Sequence, residues 1–210
     1  YLNMILERFA PACPEVETCA VPETPSNMAI EAQVIYDNYL LREGPGRLFD
    51  SIGMFDSGTP ISVIGRAAGH DWILVQIPNR KLGWMNRVGV QGVDPFDSLP
   101  IIPVADAVVV RGQMWNPDGT PALYIGFSLQ PRGNTTPDFT DMITTGTDGT
   151  WTAYLPGNAS GEWQVSADSY GCPPEVAPGQ CSLPGTFPAP LIITLPDASA
   201  EILESHILPY

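Results

Sequence analysis

The middle of the chain alternates short apolar runs with turn residues. Ile61 and Val63 stand two positions apart, as do Trp72 and Leu74, which is the period of a strand with one buried face. Turn dipeptides rich in Gly, Pro, Ser and Asn separate these runs at intervals of about ten residues or fewer. Short strands at this spacing predict a small barrel over residues 28–93, with residues 28–36 as its first strand.

A second series of alternating segments follows residue 103. The sequences NPDG at 116–119 and DG at 148–149 have the composition of tight turns, because Pro fixes φ and Gly supplies a positive φ. Six or seven strands bounded by such turns predict a β-sandwich over residues 104–196. The predicted strands are residues 107–115, 122–131, 143–147, 150–155, 162–166 and 191–195.

Three further segments flank these two regions. Residues 1–27 contain four prolines and predict an arm without regular structure beyond a brief apolar patch. Residues 94–103 are Pro-rich and predict a semi-rigid linker. Residues 197–210 predict a short helix capped by Ser199, or alternatively a strand added to the sheet edge of a neighbouring molecule.

Composition narrows the class of protein. The 210 residues include 23 Pro and 20 Gly but only 15% charged residues, a mixture that favours many turns and short strands over long helices. No run of about 18 apolar residues occurs, so no transmembrane segment is expected. The net charge of −14 argues against nucleic acid as a partner, since an acidic surface repels phosphate backbones.

The four cysteines form two closely spaced pairs, Cys13 with Cys19 and Cys172 with Cys181. Four cysteines allow three connectivities, and pairing within each short loop has the lowest closure cost, so a disulfide-stapled arm and a stapled loop are expected. A zinc site is the weaker alternative because C-x-x-C spacing and nearby histidines are absent. Disulfides persist in oxidising compartments, which predicts a secreted or cell-surface location. A chain that starts at Tyr1 fits a removed export signal or a trimmed chain.

The sequence offers few candidate catalytic residues. His70 and His206 are the two histidines, and neither lies in a nucleophile motif. Asp118, Asp148 and Asp168 lie in or beside predicted turns, where Asp has a structural role. Phosphate-binding loops, dinucleotide fingerprints and EF-hand spacings are also absent from the sequence. We therefore expect a protein that is not an enzyme and that uses neither cofactor nor metal.

Residues 38–90 carry a resemblance to a known family. The motifs LREGPG (41–46), GTPISVIG (58–65), DWILV (71–75) and GWM (83–85) occur in the order of the bacterial SH3 (SH3b) family. The resemblance implies an SH3-like β-barrel that binds a ligand or serves as a scaffold, usually outside the cytoplasm and often on the cell wall or another protein. It also implies a ligand groove, whose candidate residues are Tyr39, Arg42, Trp72 and Trp84.

The second β region resembles the carboxypeptidase-regulatory or transthyretin-like sandwich group. The similar motifs are VRGQM (110–114), DGTPA (118–122), TDGTW (147–151) and GEWQV (161–165). Members of that group imply an accessory, non-catalytic domain of secreted or surface proteins. The chain departs from the pattern in the insertion between Cys172 and Cys181 and in the long loop near Asn134.

These features together predict an exported, two-domain, all-β bacterial protein with a structural or adhesive role in a filament or layer. Its partners would be copies of itself or other surface proteins, contacted through apolar terminal segments. The candidate assembly residues are Leu2, Met4, Ile5, Phe9, Ile202, Leu203, Ile207 and Leu208.

The alternative is a monomeric envelope module whose SH3b groove holds peptidoglycan or a peptide. Core packing is the favoured role for the two tryptophans of that groove. Asn134 and Asn158 each begin a triplet with the spacing of a glycan acceptor, which makes them glycosylation candidates.

Overall fold

The computed structural model describes residues 29–69, 71–78, 80–92, 95–134, 141–171, 185–197 and 202–209. Within these ranges, fourteen strands and two short 3-10 turns make up the regular structure, so the all-β prediction is confirmed. The four cysteines, the apolar residues of the N-terminal arm, and His70 lie outside the described residues. The predicted disulfides and the arm therefore stay predictions.

The chain divides into two compact units. Among the described residues, the N-terminal unit comprises 29–45, 51–68 and 72–106, and the C-terminal unit comprises Gly46–Asp50, Gly69, Asp71 and the described residues from Ala107 onward. Two short segments that lie between early strands in sequence thus belong to the C-terminal unit. Pattern analysis, which follows local sequence, assigned both to the first region.

The N-terminal unit is one seven-stranded antiparallel sheet with the order β3-β2-β6-β5-β4-β1-β7. Ile61 and Val63 face the core from the fourth strand, as their spacing predicts. The fifth strand differs from the prediction of one buried face, because residues 72–75 are all buried. The strands are β1 (Ile30–Val34), β2 (Tyr39–Arg42), β3 (Ser51–Phe55), β4 (Pro60–Arg66), β5 (Trp72–Gln76), β6 (Leu82–Asn86) and β7 (Val90–Gly92).

The segment predicted as a linker packs on the N-terminal unit instead. Phe96 and Leu99 are buried in its hydrophobic core, and Phe96 begins a 3-10 turn, Phe96–Ser98. Arg66 accepts a backbone hydrogen bond from Ile102 and donates one to Pro100. The prediction of a semi-rigid linker, made from the prolines alone, did not include the burial of two apolar side chains that attaches this segment to the unit.

The C-terminal unit contains two sheets, with the orders β10-β9-β12-β13 and β11-β8-β14. Their buried faces share one hydrophobic cluster, and the Phe127 and Trp151 rings meet across it with centroids 5.0 Å apart. This is a sandwich-like arrangement. The strands are β8 (Ala107–Trp115), β9 (Ile125–Pro131), β10 (Asp141–Thr144), β11 (Thr150–Pro156), β12 (Gly161–Tyr170), β13 (Leu191–Leu195) and β14 (Ile202–His206).

The last strand differs most from its prediction. Residues 202–206 form β14, which pairs in parallel with β8 of the same unit, with Ile202 opposite Arg111 and His206 opposite Trp115. The predicted helix was wrong. A segment this short is marginal as an isolated helix, whereas the edge of β8 offers it backbone hydrogen bonds and a place in the core for Ile207.

Candidate functional site

The predicted ligand groove of the N-terminal unit contains two buried tryptophans. Trp84 is fully buried and Trp72 is 5% exposed, so neither ring can line an open groove. Their assignment as ligand-contacting residues is therefore corrected, because a buried ring offers no surface to a ligand. Tyr39 and Arg42 are partly exposed and remain candidates.

Tyr39 lies at the surface beside a second tyrosine that the sequence did not single out. The Tyr36 ring is 51% exposed and its centroid lies 6.1 Å from that of Tyr39. The Tyr39 hydroxyl donates a 2.9 Å hydrogen bond to the Asn86 carbonyl oxygen. Burial raises the pKa of Tyr39 to about 12, so its phenol stays neutral near pH 7. The pair offers an aromatic contact surface and no nucleophile.

The C-terminal unit has four strands at sheet edges, and β10 is covered by carboxylates. The Met142 amide donates to Asp141 Oδ1 at 3.1 Å, and the Thr144 amide donates to Asp71 Oδ2 at 2.9 Å. In an antiparallel pair, alternate residues direct their amides away from the partner strand. Side chains therefore occupy the outward donors of β10 that would otherwise pair with another strand.

Asp141 is fully buried. Its Oδ1 also accepts a 2.9 Å hydrogen bond from the Arg47 backbone amide, while its buried Oδ2 has no hydrogen-bond partner among the described residues. Burial raises the pKa of Asp141 to about 7, the two backbone hydrogen bonds oppose that rise, and the nearby Asp71 adds to it. The side chain is thus a buried titratable group whose charged form is poorly stabilised.

The β11 and β13 edges are covered in other ways. A methyl group built on Gly69 would lie 3.5 Å from the Thr152 carbonyl oxygen, and one built on Gly46 would overlap the Tyr154 carbonyl oxygen. Gly46 and Gly69 therefore lie against β11. The β13 strand lies between Pro190 and Pro196, and prolines disfavour pairing with a further strand.

The β14 edge is different. Ile207 donates to the Trp115 carbonyl on β8, and Leu208 exchanges two hydrogen bonds with Thr186 on the opposite side. Alternation then directs the backbone groups of Ile202, Glu204 and His206 away from β8. Within the described part of the chain, no second strand pairs with residues 202–206 on that outer side. This outward backbone, together with exposed Ile202 and Leu208, is called the β14 edge below.

The predicted assembly residues of the C-terminus fall into two groups. Ile202 is 69% exposed and Leu208 is 48% exposed, so both can reach another molecule. Ile207 is 1% exposed and Leu203 packs against the core of their own unit. The latter two are corrected to intramolecular anchors of β14, because alternation turns them inward.

The remaining predicted residues that the structure describes do not come together in one site. Asp118 accepts hydrogen bonds from the Thr120 amide and hydroxyl, which lowers the pKa of its carboxyl and matches its predicted turn role. Asp148 bonds Thr150 in the same way. Asp168 lies in β12 at a register shift, not in a turn. Asn158 is exposed, and the triplet after Asn134 lies outside the described residues.

Neither the metal-site geometry nor comparison with known proteins assigns a function. The described residues contain no cluster of three or more His, Cys, Asp and Glu side chains that could hold a metal ion. Helices long and apolar enough to cross a membrane are also absent from the described residues. No family model, no curated protein and no solved structure matches the chain.

Proposed function

We propose that the chain is a non-enzymatic structural subunit of an extracellular bacterial assembly and that it associates with copies of itself through its terminal segments. The observation that carries this proposal is the β14 edge. Among the described residues, the other three edges of the C-terminal unit are covered by Asp71 and Asp141, by Gly46 and Gly69, or by flanking prolines. An edge strand that has no partner on its outer side in the described part of the chain, with apolar Ile202 and Leu208 exposed beside it, is a favourable site for adding a strand from another molecule.

The strand that best fits this edge is the N-terminal segment 1–9 of a neighbouring copy. Symmetric antiparallel pairing of two β14 strands about their middle residue would set Glu204 against Glu204, and like charges directly opposite are destabilising. Segment 1–9 has one acidic and one basic residue, so it is neutral in a chain of net charge −14. Its Leu2 and Met4 stand at the period of a strand.

Deleting residues 1–9 tests the proposal. The truncated protein is expected to lose filaments, layers or large oligomers in light scattering and negative-stain microscopy, while its circular dichroism and Tm stay unchanged. On the edge itself, Ile202→Lys should weaken assembly, whereas the matched control Ile192→Lys, 45% exposed on proline-flanked β13, should not. A compact monomer near 22.6 kDa at all concentrations, or assembly that survives the deletion, would contradict the proposal.

The finer fold assignments belong to the same proposal. The N-terminal unit has short antiparallel strands around one core, which is consistent with the SH3-like barrel that the motifs imply. The two packed sheets of the C-terminal unit are consistent with a transthyretin-like sandwich. Export and the two local disulfides rest on the cysteine spacing alone, and mass spectrometry of the unreduced protein would test the pairing.

A second candidate function is a binding module for cell wall or a peptide. Exposed Tyr36 beside Tyr39 favours it, because an aromatic pair at a surface can hold an apolar or sugar face. Tyr36→Ala and Tyr39→Ala should then reduce the amount of protein pulled down on cell wall. Ile101→Ala, a similarly exposed apolar side chain of the same unit, should not. Retention by all three variants would remove this candidate.

A further inference from the structure

The covered edge of β10 depends on two acidic side chains from different parts of the chain. Asp141 belongs to β10 itself, and Asp71 lies 73 residues before the Thr144 amide that it accepts from. The Asp141 carboxylate also holds the segment Gly46–Asp50 through the amide of Arg47, 94 residues away. The contacts that cover this edge are therefore carboxylate to amide.

We propose that Asp141 and Asp71 form a protonation-dependent seal on the outer edge of β10, closed when Asp141 carries a proton and weakened when it is ionised. Geometry supports the proposal first. Asp141 Oδ2 is buried without a partner, and a methyl group built on Gly46 would lie 3.2 Å from it, so the surroundings are tightly packed. A buried charge without a full set of partners is costly.

Burial is the main reason why the neutral form of Asp141 is favoured, and the groups that face it modify this preference. Asp71 is acidic and raises the pKa of Asp141, while Arg47 lowers it through its amide and its charge. The Arg47 side chain is exposed, so solvent screens its charge and it compensates only partly. Opposite Asp141 on β9 stands apolar Leu129, and β11 contributes the Tyr154 backbone beside Gly46.

The direction of the pH effect follows from linkage. The pKa of Asp141 is about 7 in the closed edge and returns toward its ordinary 3.8 when the edge opens to water. Opening therefore releases a proton between about pH 4 and pH 7. The equilibrium constant for opening should rise up to tenfold for each pH unit in that range and level off above it. The seal is strongest in acid and weakest at alkaline pH.

Hydrogen exchange of the full chain measures this opening directly. After correction for the intrinsic pH dependence of exchange, protection of the Met142 and Thr144 amides should fall about tenfold per unit from pH 5 to pH 7 and stay constant from pH 7 to pH 9. The β13 amides, at the other edge of the same sheet, serve as the internal control and should show no such fall. Asp141→Asn keeps an oxygen acceptor for the Met142 and Arg47 amides and should make protection at β10 independent of pH.

Two further measurements test the protonation-dependent seal even if a variant folds poorly. The Asp141 carboxyl carbon of the unmodified protein should titrate near pH 7 by NMR, and Asp71→Asn should lower that midpoint by removing the neighbouring negative charge. A midpoint below pH 5, or the same pH dependence at β10 and β13, would overturn the proposal. This inference is independent of the assembly role, since it concerns a different edge and needs no second molecule.

Discussion

The two units differ in how far along the chain they reach for their strand partners. In the N-terminal unit, β2 with β3, β4 with β5 and β5 with β6 are neighbours both in the sheet and in sequence. In the C-terminal unit, β8 pairs with β14, and residues of the segment 46–50 together with Gly69 and Asp71 lie against the edges of β10 and β11. Half of the strand pairs in the N-terminal sheet are hairpins, whereas the C-terminal unit is completed by segments distant in sequence.

This difference predicts which substitutions should destabilise each unit. A hairpin sheet brings its strands together at low loop-closure cost, so single contacts can be lost without removing a strand. The C-terminal unit depends on strand β14 and on short segments around Arg47 and Asp71, all of them distant in sequence from the strands that they contact. We therefore expect substitutions at those attachment points to destabilise the C-terminal unit selectively.

The largest expected effect is the loss of the anchor of β14. Ile207→Ala removes a side chain that is 1% exposed in the core of the C-terminal unit, and such truncations cost about 2–5 kcal/mol. Ile202→Ala, on the exposed side of the same segment, should change stability by less than about 0.5 kcal/mol. Urea unfolding followed by NMR signals from each unit measures both. Equal losses in the two variants would mean that β14 is not anchored through Ile207.

Two glycines, one in each unit, test this difference between the units through losses of stability of intermediate size. A methyl group on Gly112 would overlap the Trp151 ring, and one on Gly89 would overlap the Tyr39 ring. Trp151 is 1% exposed and has no room to move, whereas Tyr39 is partly exposed and can swing outward. Gly112→Ala should therefore cost about 1–3 kcal/mol in the C-terminal unit.

The matched variant Gly89→Ala should cost less in the N-terminal unit. It should also release the Tyr39 hydroxyl from Asn86, since the ring must move away from the new methyl group. Tyrosine titration followed by absorbance then reports a lower pKa for Tyr39 than about 12, because the displaced ring is better hydrated. A larger loss of stability in Gly89→Ala than in Gly112→Ala would reverse the proposed difference between the two rings.

Sequence patterns correctly predicted the bounds of those strands that are determined by local alternation and turns. The strand at 107–115 has the bounds predicted from alternation, and so has the strand at 191–195. The C-terminal spacing of Ile202, Leu203 and Ile207 fits a helix of barely two turns as well as a strand, and only the edge of β8 decides between them. No local pattern distinguishes the prolines of a free linker from those around two buried apolar side chains.

The candidate sites were predicted less well because they depend on contacts between residues that are far apart in sequence. Asp71 and Asp141 lie far apart in sequence, and neither belongs to a motif, so nothing local indicates that both bind amides of β10. The nearest available signal was Asp141 itself, an acidic residue at the start of an apolar strand. Tyr36 was missed because the prediction placed it at the end of a strand, and only its distance to Tyr39 marks it as part of a candidate site.

Two exposed ion pairs, one in each unit, should show the smallest difference in stability when their arginines are removed. Arg87 binds Asp97 at 2.8 Å, and its guanidinium carbon lies 5.8 Å from the centroid of the Phe96 ring; Arg132 binds Glu162 at 2.9 Å. Exposed pairs contribute about 0–1 kcal/mol and are screened by salt. Contact with an aromatic ring adds roughly 0.5–1 kcal/mol. Arg87→Ala should therefore destabilise its unit by about 1 kcal/mol and Arg132→Ala by less than about 0.5 kcal/mol.

High salt separates the two contributions of Arg87. In about 1 M NaCl the effect of Arg132→Ala should vanish, because at that ionic strength charges are screened within about 3 Å. Part of the effect of Arg87→Ala should remain, since its aliphatic stem and guanidinium cover Phe96, which anchors the docked segment after β7. If salt removed both effects equally, Arg87 would act through Asp97 alone, and the packing of Phe96 would owe nothing to it.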